Sequence, residues 1–365
     1  MKLLVLAQIP PPMHGQSLMV QTLVTGLPAH GIAVHHINLG LSRDAADIGR
    51  WRLGKIFTVL VACARTVVAR FQHGCDTLYY VPAPGKRGAL YRDWLVMLLC
   101  RPFYKRVVLH WHAAGLGEWL ASQATAPEHW FTQFLLGQAD VAIVLSENLR
   151  ADAEALAPKN IIAVPNGIAD PGASAGQQTA TTGSPFQVLF LGLCCEAKGL
   201  FAAAEAVLAA NRAVRALKAE PKFTLVAAGE FSDFPTGSRF EDLCANHPSA
   251  LRYVGPVQGV EKARLFRESN CLCLPTNYPP EGQPLVLLEA MAHDLPIVAT
   301  CWGAIPDTLP PEALLVEPGD TEALTLALIQ LHKNPPPPDV FRRHFLAHFT
   351  AEEHLVHLTD ALQTL

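Results

Sequence analysis

Short apolar runs alternate with longer amphipathic stretches along the whole chain. That rhythm predicts parallel strands joined by helices, so the fold class is α/β. In the first half the runs fall at 2–8, 32–38, 77–81, 107–112, 141–145 and 161–164. A second set falls at 187–191, 223–227, 251–254, 271–274, 296–299 and 314–316. Between the sets, residues 170–185 are rich in Gly, Ser, Thr and Ala without apolar periodicity, the composition of a linker. The expected organisation is a domain at 1–168, a linker at 169–186, a second domain at 187–338 and closing helices at 339–365, after the break at Pro335–Pro338. Each domain is expected to be a doubly wound, Rossmann-like sheet with its ligands at the carboxyl ends of the strands. The two domains would then face each other across a cleft.

Composition narrows the class. At 365 residues and 50% hydrophobic, the chain has material for two cores. No run of about 18 apolar residues occurs, so no membrane span is expected. The opening apolar stretch leads straight into Pro10-Pro11-Pro12 and reads as a buried strand, not a signal. Nine cysteines without paired zinc-ligand spacing suggest reduced thiols and a cytoplasmic setting.

Charge is unevenly spread. Residues 1–106 carry 13 Lys and Arg against 4 acids, whereas the whole chain has a net charge of −4. Many of the early cations interleave with apolar residues, as in Trp51, Arg52, Lys55, Ile56 and Phe57, and again in Arg101, Phe103, Lys105 and Arg106. This suits the inner face of an anionic membrane, a polyanionic acceptor, or simply the solvated side of amphipathic helices. Nucleic acid is disfavoured because no recognition motif accompanies the charge. The missing G-x-G-x-x-G disfavours a dinucleotide-dependent dehydrogenase.

The residues with chemistry cluster after strands. Residues 284–292 read as one buried helix whose only charge is Glu289, a carboxylate that needs a partner or a ligand. Pro284 suits the first helical position. Gly282 and Gln283 then leave backbone N–H groups for a phosphate. Glu281 stands just ahead as an ionised hydrogen-bond acceptor. Two carboxylates around an anion site fit a sugar nucleotide.

After the first strand, His14, Gly15, Gln16 and Ser17 form a loop that opens a helix, with Ser17 as its cap and Gly15 allowing close approach to phosphate. His110 and His112 share a strand face, where an imidazole can bond a hydroxyl, pair on a metal or serve the core. Lys198 follows Gly192 in the first loop of the second domain, and Gly229, Gly255 and Val257 end later strands. An internal Glu289–Lys198 ion pair is the structural alternative to donor binding.

The Glu281-to-Glu289 segment resembles the Glu-x7-Glu signature of the retaining, GT-B-fold glycosyltransferases of family four, of the bacterial surface-polysaccharide type. Similar blocks run from residues 10–17 to the last helix. The resemblance implies that Glu289 binds the ribose hydroxyls and Glu281 contacts the transferred sugar. Gly282, Gln283, Pro284 and Leu285 would line the phosphate turn. His112 would lie near the donor sugar, Lys198 would reach the diphosphate, and Gly15, Gln16, Gly192, Gly229 and Val257 would complete the donor contacts. Glu281, His112 and Lys198 would then be the catalytic set.

Residues 165–168 would be the interdomain turn, and the closing helices would cross back to the first domain. The family usually carries an arginine where this chain has Leu193, which removes a forked phosphate partner. No Asp-x-Asp occurs, so the expectation is a nucleotide-sugar donor, UDP-linked first and GDP-linked next, with no cofactor and no metal. The acceptor would be lipid-linked or a polysaccharide. A catalytically silent GT-B protein and a GT-B epimerase or phosphorylase are the alternatives.

Overall fold

The computed structural model describes residues 1–40, 53–172, 185–216 and 222–365. Trp51, Arg52 and most of the expected linker lie outside the described residues. The chain forms two compact units, one of Met1–Gly167, Pro280–Gln283 and Ala351–Leu365, the other of Ile168–Pro279 and Pro284–Thr350.

The first unit runs β1 (Lys2–Ala7), α1 (Gly15–Gly26), β2 (Ala33–Asn38), α2 (Leu53–His73), β3 (Thr77–Tyr80) and α3 (Arg87–Cys100). It continues with β4 (Arg106–His110), α4 (Leu116–Ser122), α5 (Ala126–Leu136), β5 (Val141–Val144), α6 (Arg150–Glu154) and β6 (Ile161–Ala163). All strands are parallel, in the order β2-β1-β3-β4-β5-β6. Central strands of such a sheet are covered on both faces and therefore read as unbroken apolar runs. Leu3, Leu4, Val5 and Leu6 illustrate this, since all four are fully buried. Even residues of β1 face the core under α2, α3 and α5, and odd ones face the core under α1. α5 begins where it does because Thr125 and Glu128 form a capping box.

The second unit runs β7 (Phe186–Leu191), α7 (Leu200–Ala216), β8 (Phe223–Ala228), α8 (Phe234–Asn246), β9 (Leu251–Tyr253), α9 (Gly259–Glu268) and β10 (Cys271–Leu274). It closes with α10 (Leu285–Ala292), β11 (Ile297–Thr300), α11 (Ile305–Thr308), β12 (Leu314–Val316), α12 (Thr321–Lys333) and α13 (Val340–His348). The parallel order is β12-β11-β10-β7-β8-β9. Two apolar clusters cover its faces, one under α7 and α12 and the other under α10 and α13.

The last helix, α14 (Ala351–Gln363), belongs to the first unit and seals its α1 face with Leu355, Leu358 and Leu362. Within each sheet the direction of winding reverses beside the first strand, between β1 and β3 and between β7 and β10. Loops at those points are where doubly wound sheets bind ligands. Among the described residues no helix is long and apolar enough to cross a membrane.

Candidate functional site

In the first unit the polar groups gather just past the carboxyl ends of β4, β5 and β6. β4 stops at His110, so His112 stands beyond the strand in the loop that follows it. His110 is buried, pairs through Nδ1 with the Tyr79 hydroxyl and lies tilted against His112 with ring centroids 4.1 Å apart. Burial pushes the His110 imidazole well below its ordinary pKa. It takes His112 down to about 3, helped by the nearby His354 and His14. Both rings are therefore neutral at neutral pH and act as hydrogen-bonding groups.

The loop after His112 is clamped by Asp152 of α6, whose carboxylate accepts from Gly115 N at 2.8 Å and Gly117 N at 2.7 Å. α14 supplies His354, whose Nδ1 donates to the Pro165 carbonyl at 2.7 Å.

Segment 280–283 packs onto this loop. Ala114 N donates to the Pro280 carbonyl at 3.4 Å, and Gly282 lies against the His112 carbonyl. Glu281 is buried in the same segment. Gln283 has a structural duty, because its side-chain oxygen accepts from Asn166 N at 2.6 Å and its carbonyl accepts from Asn166 Nδ2 at 3.3 Å. Among the described residues, five buried side-chain atoms lack a hydrogen-bond partner, and all belong to this unit: His110 Nε2, Trp111 Nε1, His112 Nδ1, Ser146 Oγ and Asn166 Oδ1. Buried polar atoms seldom stay unsatisfied, so a group of them in the segments that follow β4, β5 and β6 fits a hydroxyl-rich ligand.

At the amino end of the unit, His14 caps α1 and Ser17 sits one turn inside, correcting the expected assignment of the cap to Ser17. His14 Nδ1 accepts from Ser17 N at 3.3 Å, while His14 N donates to Ser17 Oγ at 3.1 Å. Gly15 and Gln16 thus form the first turn of α1, with backbone N–H groups at its positive end.

In the second unit the loops after β7 and β10 are zipped together. Asn277 N donates to the Ala197 carbonyl at 2.8 Å, and a Cβ on Gly199 would meet the Pro275 carbonyl oxygen at 2.3 Å. Only glycine fits there, at φ +84°. Lys198 is carried by this zip, with Nζ 5.0 Å from the centre of the Tyr278 ring. Gly192 opens onto free space, whereas Gly229 packs against the Gly192 carbonyl. Leu193 is 37% exposed beside them. Val257 lies half-buried against the core under α10 and therefore serves packing as well.

Pro284 is the cap of α10, with ψ 118°, and Leu285 is its first helical residue, one position later than the apolar run suggests. Glu289 is ion-paired, but with Lys262 of α9 at 2.6 Å, not with Lys198. Burial raises the Glu289 pKa and Lys262 opposes that rise. Lys262 was invisible in the sequence, since nothing marks it among Glu261, Arg264, Arg267 and Glu268 on the same charged helix. Among the described residues no three His, Cys, Asp or Glu side chains gather as a metal site.

Residues 185–334 match the family described as Glycosyl transferases group 1. A 78-residue stretch is 40% identical to the MMP alpha-(1->4)-mannosyltransferase of Mycolicibacterium hassiacum. That stretch covers 20% of this chain and only 18% of the relative's length. The full chain resembles the sucrose-phosphate synthase of Thermosynechococcus elongatus with a TM-score of 0.74 at 20% identity, covering 100% of this chain and 99% of the other. It also resembles Anabaena HepE, solved in complex with UDP-glucose, with a TM-score of 0.69 at 15% identity over 100% of both chains. These likenesses establish the fold as GT-B, with two parallel-sheet units.

Proposed function

We propose that this GT-B chain, whose second unit matches the group 1 glycosyl transferases, is a retaining, metal-independent glycosyltransferase. It takes a sugar from a nucleotide-sugar, a UDP-sugar first and a GDP-sugar next. The acceptor is lipid-linked or a growing polysaccharide in surface glycan synthesis, met at the inner face of the cytoplasmic membrane.

The observation that carries the reading is the polar rim of the second unit, inside the matched segment. There Gly192 and Lys198 follow β7, and Glu289 lies on α10, the helix that follows β10 of the same sheet. Lys198 and the N-terminus of α10 neutralise the diphosphate, and the ribose hydroxyls replace the Lys262 ammonium at Glu289. In the first unit, neutral His112 and Glu281 bind hydroxyls of the sugar being moved. With no side chain assigned as nucleophile, attack comes from the front face, and the departing phosphate oxygen takes the acceptor proton. Gly15, Gln16, Gly229 and Val257 complete the donor contacts, with Gly282, Gln283, Pro284 and Leu285 as the phosphate turn.

The test is thermal stabilisation by a panel of nucleoside diphosphates, repeated on Glu289→Ala. A ligand at 100 times its Kd adds about 2.7 kcal/mol. Stabilisation of wild type that fails in the variant supports the reading, and no stabilisation by any nucleotide sinks it. Transfer that persists in a chelator supports metal independence. Leu193 favours a second reading, a silent sugar-nucleotide binder, which would show stabilisation without transfer to any acceptor.

A further inference from the structure

We infer that the outer face of the α2–α3–α5 layer, in the first unit, is a docking surface for an anionic lipid bilayer. This deepens the membrane contact in the proposed function and rests on that reading only for its biological setting. Three features of this unit mark the surface.

First, the face is rich in exposed apolar side chains, and its aromatic part is joined. Of the 20 large hydrophobic side chains exposed among the described residues, 12 belong to α2, α3, α5 and the turn at Phe103. The rings of α3 and α5 are contiguous, because successive centroids lie 4.8 Å apart for Tyr91 and Trp94, 5.6 Å for Trp94 and Phe131, and 4.9 Å for Phe131 and Trp130, while Phe71 of α2 meets Phe103 at 6.3 Å. Trp130 and Phe134 follow at 5.3 Å. Trp130 remains 59% exposed and Phe134 64%. Scattered exposed apolar groups are ordinary, but a joined patch marks an interaction surface.

Second, the exposed charges of the three helices have one sign. The only carboxylates in the three helices are Asp93 and Glu128, both buried and held by Arg92 at 2.7 Å and Arg87 at 2.8 Å. No exposed carboxylate therefore stands on α2, α3 or α5 to repel a phosphate. Arg65, Arg70, Arg101 and Lys105 flank the apolar groups. Arg70 also lies over Phe71, 5.9 Å from the ring centre. Aromatic side chains between long cations suit the boundary between headgroups and acyl chains.

Third, the patch runs into a groove of about 510 Å³ that Leu98 and Phe134 share with Arg101 and Lys105, and with Lys159, which is paired with Asp140 of the same groove at 2.7 Å and leaves Arg101 and Lys105 as its cations toward a phosphate. Arg101 is fixed there by bonds to the Leu135 carbonyl at 2.6 Å and the Gln138 carbonyl at 3.3 Å. Cations at the edge of an apolar wall match a phosphate headgroup with its chains beside it. The charge complementarity selects an anionic bilayer over a neutral one and over an apolar protein face.

The test floats the full chain with vesicles of phosphatidylcholine alone or mixed with phosphatidylglycerol, with no donor present. Wild type should partition onto the anionic vesicles, weaken with added salt and shift its tryptophan emission to the blue. Trp130→Ser combined with Phe134→Ser should cut partition at least tenfold, and Lys105→Glu by about fivefold for each unit of charge changed. Both changes are at exposed positions, so nucleoside-diphosphate stabilisation should be retained; a failure of docking is then separable from a failure of the donor site. Equal partition of wild type and variants overturns the inference. So does a wild-type dimer in solution that the Trp130 and Phe134 changes break, which would make this face an interface between copies.

Discussion

A Cβ added to Gly282 would stand 2.4 Å from the carbonyl oxygen of His112, so the segment carrying Glu281 rests directly on the loop carrying the imidazole. No side chain fits there without moving backbone. Gly282→Ala should cost about 1–3 kcal/mol of stability, as overpacking does. It should also lower turnover roughly 100-fold, since a displacement near 1 Å at a reacting group has that effect. Urea unfolding and initial rates check both, and wild-type values in the variant would mean the contact is not a tight one.

The Lys262–Glu289 pair predicts two unlike variants. Lys262→Met should lose about 1–2 kcal/mol. That is less than the cost of stranding a fully buried charge, because a quarter of each side chain meets solvent. It should still be stabilised by the nucleotide, whereas Glu289→Ala should not. If the two variants respond alike to nucleotide, Glu289 serves only the ion pair.

Acid should weaken the fold through the buried imidazoles. Burial holds His354 down at about 4 and His112 at about 3, below the ordinary value of 6.5. A histidine with a depressed folded pKa contributes its stability in full above the unfolded value and loses it as pH falls from there toward the folded value. For His354 alone the loss at pH 5 is roughly 2 kcal/mol, from 1.36 kcal/mol for each unit below the unfolded value. Unfolding free energies that match between about pH 7.5 and pH 5 would refute this.

Leu193→Arg should return a guanidinium to the rim beside Gly192 and Lys198. A charge-assisted bond of about 1.5–3 kcal/mol corresponds to nucleoside-diphosphate binding about ten to a hundred times tighter. Calorimetric titration of both proteins reads it directly. Unchanged affinity would place the diphosphate away from position 193.

The central strands were legible because strands buried on both faces are written as unbroken apolar runs, the half-buried β2, β6, β9 and β12 followed from the alternation around them, and strand ends moved by only one or two residues. Cys271–Leu274 and Leu314–Val316 coincide with theirs. Partners distant in sequence were not legible. Asp152 clamps a loop 35 positions earlier, and Lys262 reaches Glu289 across 27. Nothing in either residue's own neighbourhood announces those contacts. Caps misled in a different way. Ser17 is a good capping residue by type, but His14 took the position because its ring nitrogen reaches Ser17 N, leaving Ser17 inside the first turn. Gln283 showed the same limit, its side chain being committed to Asn166.

The first unit is assembled from three separated segments, and α14 completes the cover of its α1 face. About 180 residues lie between Gly167 and Ala351, on the order of ten to forty seconds of translation. Throughout that interval Val5, Val20 and Leu23 lack the cover of Leu358 and Leu362. The unit made first is therefore completed last, and a nascent chain exposes that apolar face to chaperones while the second unit is already folding.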